Sequence, residues 1–147
     1  MLSVTVDTIL SWNPCWLNEP DGEARVRAAL APLGDEITAL GVLGLDISAE
    51  DRLWVVLREE LIPARTLRLF ACDCARRALE RERSAGREPD PRSWTAVEVA
   101  ERYARGEATE DDLAAARAAA RAAAWDAAWT AERRWQTERL WGYLTAA

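Results

Sequence analysis

A chain of 147 residues, half of them hydrophobic, with 19 Lys plus Arg against 25 Asp plus Glu and a formal charge of −6, has the length of one ordinary domain and too much apolar surface for wholesale disorder. It contains no His, which excludes a Ser-His-Asp triad, a Cys–His pair and a His metal ligand. Every cation is Arg, so a Schiff-base lysine and a Walker-type phosphate lysine are excluded as well.

The N-terminal part reads as short helices between frequent breakers. Thr5 is placed to cap a helix over residues 6–12 that Asn13 and Pro14 end, and residues 15–22 then read as loop around a Pro20-Asp21-Gly22 turn. A second helix is expected over residues 23–31, stopped by Pro32. Residues 33–45 are assigned to helix despite Gly34, Gly41 and Gly44, with Thr38 as a cap. Ser48 and Asp51 form a capping-box-like pair, and Leu53, Trp54, Leu57 and Leu61 recur at helical spacing, so a helix is expected to about Glu60.

Longer helices follow. Pro63 suits a first helical turn, and Leu67, Phe70, Ala71, Cys74 and Ala78 form a stripe at steps of three and four, predicting an amphipathic helix that ends near Gly86. Asp90-Pro91 marks the next start, with a cap followed by proline at the first position, and Gly106 marks its end. Glu98 with Arg102 and Glu101 with Arg105 are the expected i,i+4 pairs on it. Thr109 and Asp112 open a last helix running to about Leu144, roughly 50 Å long at 1.5 Å per residue. The only β-like stretch is residues 4–6. The fold expected is therefore all-α, a single-domain helical bundle over residues 1–147, with short helices in 1–59 and longer ones in 60–147 and a long Ala/Trp-rich C-terminal helix. Its core is expected among the helices of Leu67, Trp94 and the Ala/Trp rod.

Charge is unevenly spread. Residues 1–64 carry 11 acids against 4 Arg, a balance of −7, whereas residues 65–147 carry 14 acids and 15 Arg. A net negative chain repels nucleic acid at long range, so direct nucleic-acid binding is disfavoured and a basic protein surface is the easier partner. Asp7, Glu19, Asp21, Glu23, Asp35 and Glu36 are the candidate acidic contacts, arranged to mimic phosphates before a basic channel. The three cysteines and the absence of a basic, then apolar, leader in the first sixteen residues point to the cytoplasm, and Arg117, Arg121 and Asp126 interrupt the Ala-rich segment before it could span a membrane.

Two motifs carry the functional reading. Arg117, Arg121, Trp125, Trp129 and Arg133 recur every four residues among alanines, so they wind slowly round one helix. One reading makes Trp125, Trp129 and Arg133 a partner-binding or self-associating face; another buries Trp125, Trp129 and Trp135 in the protein's own core. A third uses Arg117, Arg121, Arg133 and Arg134 with the indoles as a stacking platform for nucleic acid. Cys72-Asp73-Cys74 resembles a metal or redox motif, but residues two apart on a helix diverge by about 200° and cannot share an ion. Both cysteines are expected to pack, Cys74 in the apolar stripe and Cys72 beside it; Cys15, in a loop, is the most reactive thiol expected. The carboxylates around Gly106 (Glu98, Glu101, Glu107, Glu110, Asp111 and Asp112) are explained by dipole complementarity and i,i+4 pairing, so no catalytic residue, metal or cofactor is assigned.

The run from Glu60 to Ala75, then Asp90-Pro91-Arg92-Ser93-Trp94, residues 97–105, Gly106-Glu107-Ala108-Thr109 and the Ala/Arg/Trp tail resemble a group of proteins from high-GC bacteria and their phages. The order of a helix, an acidic linker, a helix ending in Ala-Arg-Gly-Glu and an Ala-rich helix is similar to that of the immunity proteins grouped as Imm-5-like. The resemblance covers residues 60–131. It implies a small protein that binds and neutralises another macromolecule in bacterial or phage conflict. Together with the missing catalytic inventory, it leads to the expectation of a non-enzymatic, protein-binding inhibitor of a toxin or a nucleic-acid-targeting nuclease. The alternative is a structural module whose last helix self-associates into a homodimer.

Overall fold

A computed structural model describes the backbone of residues 1–145 and the side chains of residues 1–138. The chain is all-α, a helical bundle with short helices first and long ones last, and it divides into two compact units, Met1–Leu67 and Arg68–Ala147. No described helix is long and apolar enough to cross a membrane.

In the first unit, β1 (Ser3–Val4) pairs antiparallel with β2 (Ile37–Thr38), Ser3 opposite Thr38 and Val4 opposite Ile37. Between them lie α1 (Val6–Ser11), a 3-10 turn over Cys15–Asn18, α2 (Gly22–Leu30) and a second 3-10 turn over Ala31–Leu33; α3 (Ala39–Leu43) and α4 (Ala49–Val56) follow. The caps fall where the sequence places them. The Thr5, Thr38 and Ser48 hydroxyls accept hydrogen bonds from the backbone N–H groups of Thr8, Gly41 and Asp51, each satisfying one of the four orphan donors at a helix start.

Two expectations are corrected here. The helix assigned to residues 33–45 is only the five residues of α3, because Gly34 turns the chain at φ 71° and Ile37 joins a two-residue ladder with β1. Pairing lets Ile37 become fully buried, which outweighs local helix propensity. The helix expected to reach Glu60 stops at Val56, with Leu57 leaving helical geometry, and a turn carries Leu61 into the core.

That core consists of Ile9, Val26, Leu30, Ile37, Val42, Val55, Val56 and Leu61. Branched aliphatic chains from α1, α2, β2, α3, α4 and the turn after α4 meet there, and full burial of each contributes about 1.5–3 kcal/mol. The largest buried cluster thus sits among the short helices, not where the long-helix stripes suggested. Gly22 is required by packing: a Cβ on it would stand 2.0 Å from the Trp16 carbonyl oxygen. This close approach seats α2 against the 3-10 turn.

The second unit is built from α5 (Ala64–Ser84, whose first turn belongs to the first unit), α6 (Pro91–Arg105) and α7 (Glu110–Thr145). Asp90 caps α6 through the Arg92 N–H at 2.8 Å. Gly106, at φ 81°, ends it in a Schellman arrangement: the Gly106 N–H donates to Tyr103 O and the Glu107 N–H to Arg102 O. Thr109 and Asp112 form a reciprocal capping box at 2.9 and 3.1 Å. Among the described residues of this unit, Cys72, Val97, Ala104, Leu113, Ala116 and Ala123 are the buried hydrophobic ones.

The stripe predicted on α5 is out of phase. Cys72 is 5 % exposed while Cys74 is exposed and Phe70 is 43 % exposed. The inward side carries Leu69, Cys72, Arg76 and Leu79 instead. The Arg76 stem packs while its guanidinium bonds Glu101 of α6 at 2.8 Å, which turns this side of α5 toward α6 although the competing stripe carries Leu67 and Phe70. Glu101 therefore pairs across helices, not with Arg105 as its spacing suggested.

Candidate interaction surfaces

Three tryptophans from separate segments meet in the first unit. Trp54 lies edge-on to Trp12 and Trp16, with centroids 6.4 and 5.1 Å apart, the geometry favoured by the ring quadrupole. The Trp16 indole N–H donates to Asp51 Oδ1 at 2.9 Å. The Arg58 guanidinium stands 4.3 Å from the Trp12 ring centroid and 4.5 Å from that of Trp54. Arg58 Nε is buried with no hydrogen-bond partner among the described residues, so cation–π attraction holds the charge where hydrogen bonding does not. Sequence reasoning missed Arg58, although its position four residues after Trp54 on a helical pattern was a usable signal.

The acidic candidates are only partly assembled. Glu19, Asp21 and Glu23 line one surface depression with Arg27. Arg27 joins Asp7 at 2.8 Å and Glu23 at 2.9 Å, and Arg25 pairs with Glu19. Two arginines thus offset part of the negative field. The hydrogen bonds to Asp7 and Glu23 raise the Arg27 pKa above its ordinary value, and an arginine is charged at every ordinary pH in any case. Asp35 and Glu36 sit on the turn before β2, away from that depression.

The tryptophans of α7 behave differently. Trp125, Trp129 and Trp135 are 74 %, 53 % and 58 % exposed, which overturns the reading that they fill the protein's own core. Leu113, Ala116 and Ala123 form the buried stripe, and every residue from Ala124 to Glu138 is exposed. Asp126 bonds Arg92 at the start of α6 at 3.0 Å, marking how far along α7 the side-chain contact with α6 is recorded. Arg133 stands 5.2 Å from the Trp129 ring centroid, so these two candidates do come together. Trp141 lies outside the described side chains.

Of the remaining sequence candidates, Cys72 and Asp112 are structural. Cys15 is exposed and free. The Cys72 thiol is raised above its ordinary pKa by burial first and then by Glu101 and Asp73, which disfavours the reactive thiolate. Around Gly106, hydrogen bonds from Thr109 hold the Asp112 carboxylate below the usual range, as a capping role requires. Among the described residues no three His, Cys, Asp or Glu side chains gather as a metal ion would need. Clefts of about 230 Å³ beside Trp16 and Val55, and about 240 Å³ between Cys72 and Val97, are smaller than the roughly 300–1,000 Å³ of ordinary small-molecule sites, whereas the charged depressions at Glu19 and Asp21 and at Glu80 and Arg87, about 620 Å³ each, are not.

No family model, curated protein or solved structure matches this chain.

Proposed function

We propose that this protein acts by surface contact as a non-enzymatic, protein-binding inhibitor of the immunity type, with the Arg/Trp face of α7 as its principal contact surface. The observation that carries this reading is the exposure of Trp125, Trp129 and Trp135 on a single helix. Large indoles left in water are costly unless something covers them, and tryptophan and arginine are both enriched at binding hot spots. The depression bearing Glu19, Asp21 and Glu23 supplies a second, charged contact suited to a basic target such as a nucleic-acid-directed enzyme.

The test is affinity purification of the tagged chain from cells that express it, beside a Trp125→Ala/Trp129→Ala variant of unchanged helicity. A stoichiometric protein partner retained by the parent and lost by the variant is expected. Equal recovery by both forms, or none by either at low salt, would remove α7 as the surface that binds a target.

A further inference from the structure

The exposed face of α7 carries a heptad seam that the every-fourth-residue pattern hides. Ala118, Arg121, Trp125, Ala128, Glu132 and Trp135 follow one another at alternating steps of three and four, the spacing of coiled-coil core positions. All six are exposed. At 100° per residue the seam lies roughly 140° around the helix from the buried stripe of Leu113, Ala116 and Ala123, so contact within the second unit leaves it open.

We infer that a second copy of this chain covers the seam, the two α7 helices running antiparallel about a twofold axis between Asp126 and Ala127. This rests on the reading of α7 as a protein-contact surface and names what covers that surface while no target is bound. In that register Ala118 faces Trp135 of the other copy, Arg121 faces Glu132, and Trp125 faces Ala128; the twofold repeats each layer in reverse. Every indole meets a methyl group, which lets large and small chains interdigitate. Every guanidinium meets a carboxylate. A parallel pair would instead set Arg121 beside Arg121, Glu132 beside Glu132 and Trp125 beside Trp125, combining like-charge repulsion with overpacking. Neither Arg121 nor Glu132 makes an ion pair among the described residues, and Glu132 only accepts a hydrogen bond from Gln136 at 2.9 Å, so both charges are available across the interface. Trp129 flanks the seam, beside Ala122 of the partner.

Sedimentation velocity of the full chain over a wide concentration range tests this. A reversible dimer is expected. Arg121→Glu should weaken it about tenfold or more, because the twofold converts two attractive pairs into two repulsive ones, and adding Glu132→Arg to that variant should restore it. The restoration belongs to this register alone. Ala128→Glu, a helix-compatible change at an exposed position, provides a second disruption should Arg121→Glu lose helicity by circular dichroism. A monomer at all concentrations, a dimer indifferent to Arg121→Glu or Ala128→Glu, or a charge swap that fails to restore pairing would overturn the inference. A monomer whose Trp125→Ala/Trp129→Ala form still loses a different protein would sink the self-pairing and leave the contact reading standing. Loss of both results would sink the two together.

Discussion

Tryptophan serves two purposes in this molecule, and the contrast is between Trp12, Trp16 and Trp54 in the first unit and Trp125, Trp129 and Trp135 on α7. The first three come from segments up to about forty residues apart and find one another, Asp51 and Arg58. The second three share one helix whose neighbours are mostly alanine, and they stay in water. Side-chain type does not decide between core and surface. What decides is whether other elements return to cover the residue.

The strongest way to break the contrast is to disturb what the first set packs beside. Ile9 is fully buried in the aliphatic cluster, and Trp12 and Trp16 pack against that cluster. Ile9→Ala should cost about 2–5 kcal/mol through lost transfer energy and a residual cavity, measured by urea unfolding with tryptophan emission as the signal. Trp129→Ala, measured under conditions where the chain is monomeric, should change stability by less than about 0.5 kcal/mol. Comparable losses in the two variants would mean that α7's indoles are structural after all.

A subtler change sharpens the contrast from the side of Arg58. Its guanidinium touches two indole faces while its buried Nε lacks a hydrogen bond, so attraction and desolvation oppose each other. Arg58→Ala should destabilise by about 0.5–2 kcal/mol, the range of a partly desolvated cation–π contact, and should shift the emission of the Trp12/Trp54 cluster. Unchanged emission would detach the charge from the cluster.

Much of the fold was legible because helix ends are local. Thr5, Thr38, Ser48, Asp90, Gly106 and the Thr109/Asp112 box all cap where their chemistry suggests, since each cap satisfies backbone groups within a few residues. What escaped was non-local. Ile37 enters a ladder with Val4 across more than thirty residues, and the α5 stripe turns inward on Leu69 and Leu79 because α6 offers Glu101 to Arg76. The candidate surface was half legible. The Arg/Trp periodicity stood out, but whether the indoles were covered depended on α6 packing along only part of α7.

The smallest effect expected separates the units by acid. The depressed carboxylates Glu82, Asp90 and Asp112 all lie in the second unit. Asp90 is brought down from its ordinary 3.8 to about 2 by hydrogen bonds from the Arg92 side chain and then from the Arg92 backbone N–H. A carboxylate whose folded value lies below its unfolded one stabilises above the unfolded value, and that contribution disappears as the pH falls through the folded one. Acidification from about pH 4 to about pH 2 should therefore loosen the start of α6. Asp90→Asn keeps a capping acceptor but carries no titrating charge, so its helicity should change less over that interval than the parent's. Superimposable acid titrations of the two proteins by far-ultraviolet circular dichroism would place the acid sensitivity elsewhere, with the Thr109 contact of Asp112 the next site to vary.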